Sequence, residues 1–317
     1  MLCYTTKNGE AYCGDSLQLL QTLDDDSVDL FFVSPPFPLT VPKEYGNEAI
    51  EDYVEWLMQF VRTLLPKLKE KGSLVIDLGS IYTKGRPVYH LYQYKLAIRL
   101  CEELDLRLCQ QFYWQNINAL PSPIQWVSRA KIRAKNAIDM VFWLSKSDYP
   151  KADVTKVLVP YSKQMKKMLK HPRKFFKKNT KHPSGYTMHD TWKKNNGGAI
   201  PSNLLSISNS ESRSQYLSLC RALKVRIHPA RFPYKLPEFF IKFLTDEQDL
   251  VVDFFAGSNT TGMSAEQHNR RWKSFELDLQ YVAASSFRFL STRDEEKARI
   301  CYKAIMDGQT PVDLSTD

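Results

Sequence analysis

The chain has 317 residues, of which 43% are apolar and 25% charged, and 44 Lys and Arg outweigh 35 Asp and Glu for a formal charge of +9. That apolar content supports one large domain or two modest ones and excludes a disordered chain. There is no apolar run near the roughly 18–20 residues of a membrane span, no secretory pattern at the start, and no C-x-x-C pair or histidine cluster among the six cysteines, so a cytoplasmic protein without zinc or disulfides is expected.

Before Lys151 strand-like and helix-like periods alternate, which predicts an α/β fold with a mostly parallel sheet. Val28–Val33 reads as a buried strand that ends at Ser34-Pro35-Pro36-Phe37. Proline donates no backbone N–H and fixes its own φ, so this strand end cannot extend a ladder and its carbonyls stay available. The serine oxygen, the Ser34 and Pro35 carbonyls and the flat Phe37 ring together suit a planar exocyclic amine. Glu51–Leu65 has helical spacing, with Gly72 as its stop, and Ser73–Leu78 is a second buried strand. A helix over Tyr92–Leu104 and strands over Arg107–Trp114 and Ala137–Leu144 follow. Positions 115–135 form a loop rich in Pro and Asn, with Arg129, Lys131 and Arg133 in its second half.

From Lys151 to about Arg226 the alternation weakens. Between Lys151 and Ile200 lie 13 basic residues against two acidic ones, a local net of +11 with Tyr161, Phe175, Phe176, Tyr186 and Trp192 interleaved. Basic charge with aromatics marks a polyanion-binding surface, so a DNA-recognition insertion is expected, with Lys166, Lys167, Lys170, Arg173, Lys174, Lys177 and Lys178 assigned to phosphates. The expected organisation is a catalytic half over 1–150, the insertion over 151–226 and a cofactor-binding half over 227–317. In that last part Pro237 opens a helix. A strand (Asp249–Phe254), a loop and helix (Gly257–Asn269), a strand (Trp272–Leu277) and a helix (Leu279–Leu290) complete it.

The segment Asp253-Phe254-Phe255-Ala256-Gly257-Ser258-Asn259-Thr260-Thr261-Gly262 joins a strand to a helix through a glycine turn, the place where open α/β sheets bind nucleoside-like cofactors. Asn259 stands where a third glycine is usual, and asparagine tolerates positive φ. An acidic residue is expected about 20 positions on to accept from ribose hydroxyls, and Glu276 fits.

Taken together, Ser34–Phe37 and Asp253–Thr261 resemble the beta class of DNA amino-methyltransferases, in which the catalytic tetrapeptide precedes the cofactor loop. Gly14–Leu20, His228–Pro233 and Lys235–Pro237 extend the likeness over nearly the whole chain. Pro121–Ile124, Ile207–Ser212 and Gly257–Gly262 look most similar to the PvuII-type cytosine-N4 branch. The resemblance implies a Rossmann-like S-adenosylmethionine-dependent fold, a doubly wound sheet with permuted motif order. It also implies methyl transfer to the N4 amine of a flipped cytosine in double-stranded DNA, within a restriction-modification system, with CAGCTG as the first site to test. By the same resemblance Ser34, Pro35, Pro36 and Phe37 are catalytic. Asp15, His228, Pro229, Asp253, Phe254, Gly257, Ser258, Asn259, Thr260 and Glu276 hold S-adenosyl-L-methionine.

A monomer or weak homodimer, paired functionally with a restriction endonuclease of the same specificity, completes that picture. Methylation of cytosine carbon 5 is set aside because no cysteine follows a proline. Adenine-N6 methylation, methylation of a protein amide and a catalytically inactive DNA-binding relic stay open; the first two are usually associated with Asp and Asn, respectively, at position 34.

Overall fold

The computed structural model describes residues 1–38, 49–171, 194–210 and 214–315. Strands β1 (Leu2–Thr5) and β2 (Gly9–Cys13) form a hairpin that leads into helix α1 (Ser16–Gln21). Next come β3 (Val28–Val33), α2 (Tyr53–Leu64), β4 (Leu68–Gly79), α3 (Tyr92–Leu104), β5 (Arg107–Gln115) and β6 (Ile138–Ser145). Helix α4 (Lys163–Lys170) is followed by β7 (Leu204–Ser206), α5 (Gln215–Leu223), α6 (Lys235–Leu244) and β8 (Leu250–Asp253). Then come α7 (Thr260–Gln267), β9 (Arg271–Glu276), α8 (Leu279–Ser285), α9 (Glu295–Met306) and β10 (Val312–Asp313).

The described strands form one 10-stranded sheet in the order β10-β1-β2-β9-β8-β3-β4-β6-β5-β7. Its centre is parallel: β2 with β9, β9 with β8, β8 with β3 and β3 with β4. The β4–β6 and β6–β5 pairs are antiparallel. All six residues of β3 are buried, as a central parallel strand covered by helices on both faces requires.

Successive side chains of β3 serve opposite layers. Phe31 joins the core beneath α2 and meets Phe254, whereas Phe32 packs on Phe240 of α6 and on Phe232. The apolar stripe Tyr53, Leu57, Met58, Phe60, Val61 and Leu64 seats α2 on the first of these layers. The polar residue in β3, Asp29, is only 6% exposed. Its carboxylate accepts from Lys69 Nζ at 2.9 Å through both oxygens and from the Leu250 N–H at 2.9 Å, linking β4 and β8 to the strand between them. A buried charge tolerates that position because it is both paired and hydrogen-bonded.

Gly72 does not stop α2. The helix ends at Leu64, Pro66 follows, and Gly72 lies within β4. A Cβ there would come within 3.0 Å of the Lys69 and Val28 carbonyl oxygens, so glycine serves a strand irregularity where backbones crowd. Pro237 is the third residue of α6, not the first; its missing N–H still falls among the unpaired donors of a first helical turn. Beyond Ser285 the expected helix tightens into a single 3₁₀ turn over Ser286–Arg288.

Two compact units emerge, residues 1–152 with 203–317 and residues 153–202. Strand β7 pairs with β5 and belongs with the larger unit, as does α5, whose Tyr216, Leu217, Leu219 and Cys220 are buried. Within the smaller unit Ser162 caps α4, and Val159 and Ala199 form an antiparallel bridge. Among the described residues no helix is long and apolar enough to cross a membrane.

Gly9 opens β2 directly against the buried Trp272 indole, where a Cβ would overlap the ring. Gly9→Ala is therefore expected to destabilise the protein by about 1–3 kcal/mol, the cost of overpacking a filled core. Denaturant melts of Gly9→Ala, Trp272→Leu and the double variant check this: the double variant should lose less than the two single losses combined.

Candidate active site at the carboxyl edge of the sheet

Strands β2, β9, β8, β3 and β4 run parallel, so their carboxyl ends share one edge. From β3 the chain crosses through α2 to β4 on one side, and from β8 through α7 to β9 on the other. Neighbouring strands whose connections diverge leave a crevice at their carboxyl ends, where α/β sheets bind ligands. Here the crevice opens into a cavity of about 810 Å³ lined by Asp15, Ser34–Phe37, Asp77, Phe254 and Glu276, among others. That volume lies in the range of small-molecule and cofactor sites.

On the β3 side, Ser34 Oγ donates to Asp77 Oδ2 at 3.1 Å. Asp77 is 1% exposed, and its Oδ1 is buried without a hydrogen-bond partner. Two residues on, Gly79 supplies the space for the Phe37 ring; any Cβ at Gly79 would overlap it. The buried Tyr92 hydroxyl donates to the Gly79 carbonyl and braces that backbone. Gly79 pairs with Asp139 of β6, and Asp139 with Trp114 of β5. Paired residues share a face, so Asp77, Asp139 and Trp114 project toward the cavity they line. Burial, with Asp139 nearby, lifts the Asp77 carboxyl well above the ordinary carboxylate range, while its bond from Ser34 opposes the shift. Burial lifts Asp139 to about 6.

On the β8 side the Glu276 carboxylate ends β9. Its Oε2 accepts from Gly257 N at 2.8 Å, and Oε1 accepts from Leu277 N at 2.9 Å and Asp278 N at 3.0 Å. Burial raises this carboxyl, and the three backbone donors hold it back. A carboxylate has about four acceptor positions, so one remains on the cavity side.

Gly257 has φ +52°, and a Cβ there would sit 2.9 Å from His228 Cε1. Only glycine permits this turn and this approach together. Asn259 takes φ +55° and caps α7 through Oδ1 to Gly262 N at 3.0 Å, so asparagine meets the demand for a left-handed residue. A tight glycine turn beside an incompletely used, partly exposed carboxylate fits a cofactor carrying a ribose.

The other residues named for the cofactor divide by where their side chains go. Asp15 caps α1 through Leu17 N and lines the cavity, as do Pro229 and Phe254. Asp253 is turned inward: it accepts from Phe255 N at 3.0 Å and Thr261 Oγ1 at 2.6 Å, and burial lifts it to about 7. Ser258 receives Arg288, Asn259 bonds the Tyr4 hydroxyl, and Thr260 is 2% exposed. The His228 ring lies 4.6 Å from Tyr281 and bonds the Ala230 carbonyl. These residues shape the loop rather than line the cavity.

Lys166, Lys167 and Lys170 are exposed on α4, whereas Arg173, Lys174, Lys177 and Lys178 lie outside the described residues. Asp77, Gly79 and Asp139 were not singled out from sequence. The available signal was positional: Asp77 nears the end of a strand that neighbours the one ending at Ser34.

The family model described as DNA methylase matches residues 28–287. The chain is 50% identical over 314 residues to the Type II methyltransferase M.PvuII of Proteus hauseri, across 99% of this chain and 93% of that one. It is 23% identical over 290 residues to the Type II methyltransferase M.BglII of Bacillus subtilis, across 90% and 69% of the two chains. Among solved structures, the PvuII DNA methyltransferase (cytosine-N4-specific) matches with a TM-score of 0.80 at 44% identity, over 98% of this chain and 96% of that one. M1.HpyAVI in complex with SAM matches with a TM-score of 0.51 at 19% identity, over 88% and 98%, a likeness of fold. Agreement across nearly the full length, on the fold built above, assigns the chain to the DNA methylase family of S-adenosylmethionine-dependent amino-methyltransferases.

Proposed function

We propose that the protein methylates the exocyclic N4 amine of a cytosine in double-stranded DNA, as the modification enzyme of a Type II system with CAGCTG as its site. The observation that carries this reading is the single cavity that holds the Ser34–Asp77 hydrogen bond and the Phe37 ring on one side and Glu276 on the other. The half-identical relative is a Type II methyltransferase, and the solved structure at 44% identity is that of a cytosine-N4-specific DNA methyltransferase. A monomer acting once on each strand of a palindrome suffices, in the cytoplasm alongside an endonuclease of the same specificity.

When bound, S-adenosylmethionine would supply an electrophilic methyl group whose bond to sulfur breaks as the bond to nitrogen forms, the sulfur leaving with the electron pair as a neutral thioether. Glu276 would hold its ribose, Asp15 and Pro229 would line its site, and the Gly257–Thr260 backbone would turn beside it. The target amine is conjugated into its ring and is a poor nucleophile. Ser34 Oγ and the Pro35 carbonyl accept from its two N–H groups, orienting the nitrogen and drawing it toward tetrahedral geometry. As nitrogen forms its bond to carbon, one proton must leave. Ser34 receives that proton and passes its own along the existing hydrogen bond to Asp77, whose second oxygen is free to reorganise. Phe37 stacks the base, which enters by rotating out of the duplex at a cost of a few kcal/mol. The exposed lysines of α4 contact phosphates.

Incubation with labelled S-adenosylmethionine and a CAGCTG duplex should yield N4-methylcytosine as the sole modified base; N6-methyladenine would overturn the base assignment. Ser34→Ala should lower single-turnover methylation by about 10²-fold or more while cofactor affinity measured by calorimetry stays within about twofold. Glu276→Ala should do the reverse, weakening cofactor binding by about 10- to 100-fold, the loss of charge-assisted hydrogen bonds.

The pH dependence has a defined sign. Burial raises both Asp77 and Asp139, so at low pH both are neutral and no proton acceptor is available. As pH rises the pair ionises above the ordinary carboxylate range, and the single-turnover rate should climb with it, the apparent values belonging to the pair. Asp77→Asn should flatten that limb and lower the plateau.

A further inference from the structure

The cavity accounts for the base that reacts and leaves open what replaces it in the duplex. Beside the cavity mouth lies the 116–136 loop that joins β5 to β6. Asn116, Ala119 and Asn136 line the cavity, and Leu120, next to Ala119, is 80% exposed. Ile117 and Ile124 are 53% and 61% exposed.

This apolar tip is held in place by polar contacts. Asn116 N bonds the Ala137 carbonyl, Asn136 N the Ser122 carbonyl and Lys135 Nζ the Ala119 carbonyl, each within 3.0 Å. Asn118 Nδ2 reaches Ser208 Oγ at 2.5 Å. Three large apolar side chains presented to water within eight positions of one braced loop mark an interaction site.

Charge selects the partner. Residues 116–136 contain Arg129, Lys131, Arg133 and Lys135 and no acidic residue. Arg133 is spent on the Pro87 carbonyl and Lys135 on that of Ala119, while Arg129 and Lys131 are exposed. Apolar residues flanked by exposed cations beside the cavity match a duplex in which a step must be unstacked.

We infer that the 116–136 loop is a second DNA-contacting element, in which Leu120 enters the stack vacated by the extruded base and Arg129 and Lys131 hold the neighbouring phosphates. The inference rests on the proposed DNA substrate and concerns how the base leaves the helix, not the chemistry done on it.

The test uses the full chain and CAGCTG duplexes with pyrrolocytosine, a fluorescent cytosine analogue, at the target position. Leu120→Ala should melt like the parent protein, since that side chain lies in water. It should lower the fluorescence gain several-fold and methylation kcat/KM on the matched cytosine duplex by about tenfold. Activity should return to within about twofold of the parent on a duplex whose target cytosine faces a mismatched base, where unpairing is already done. Arg129→Gln with Lys131→Gln should reduce the slope of log affinity against log salt by about two.

Unchanged extrusion in Leu120→Ala, an equal deficit on matched and mismatched duplexes, or a switch from dimer to monomer with extrusion intact would overturn the inference. Extrusion lost in Leu120→Ala while the parent protein extrudes but never methylates the base would refute the methylation reading alone and uphold the role of the loop.

Discussion

Everything at this site follows from two parallel strands lying side by side whose outgoing connections separate. Because β3 and β8 are neighbours and their helices diverge, the chain past Val33 and the chain past Asp253 flank one crevice. Proline at positions 35 and 36 keeps one lip from adding to the sheet, and the glycine turn at Gly257 draws the other lip back. The cavity is thus a by-product of sheet topology. The side chains decide what chemistry it hosts.

Asp77, Asp139 and Glu276 line the cavity and a fourth carboxyl, Asp253, lies behind it in a protein of net positive charge, and their partners separate their roles. Asp253 has both oxygens occupied by its own loop and works as a brace. Glu276 is anchored by three backbone donors with an acceptor to spare, which suits a fixed hydroxyl-binding post. Asp77 has one donor and one empty oxygen, and Asp139 lies diagonally across the sheet from it, which suits the proton transfer proposed for Asp77. The number of hydrogen bonds that reach each carboxylate suits it to a scaffold, a binding or an acid–base role.

What could be read in the sequence was whatever a local rule governs. Val28–Val33 and Leu250–Asp253 are apolar runs closed by proline or glycine, and Glu276 lies at the spacing a ribose-binding acid requires. The β1–β2 hairpin and α9 were missed because their residues are only partly apolar: β2 is Gly-Glu-Ala-Tyr-Cys, and its burial depends on β9, more than 250 positions away. Gly72 misled because a glycine after a helical stretch is an ordinary stop, while its real constraint is the Val28 carbonyl on another strand. Gly79 and Asp139 are site residues only through cross-strand pairing, and no periodicity reports which residue will lie opposite which.

The Asp29 contacts tie the making of the protein to its permuted order. Strand β3 is synthesised early, yet the Leu250 N–H that its carboxylate accepts belongs to a strand 221 residues later. Until β8 emerges, β3 is an edge strand with an incompletely paired buried acid, and the Ser34–Phe37 segment has no opposite wall. Such long-range closure is slow compared with local pairing. A nascent or truncated chain therefore exposes a sticky, largely apolar edge before it can bind cofactor, so a host that expresses it depends on completing the chain to gain both solubility and DNA modification at once.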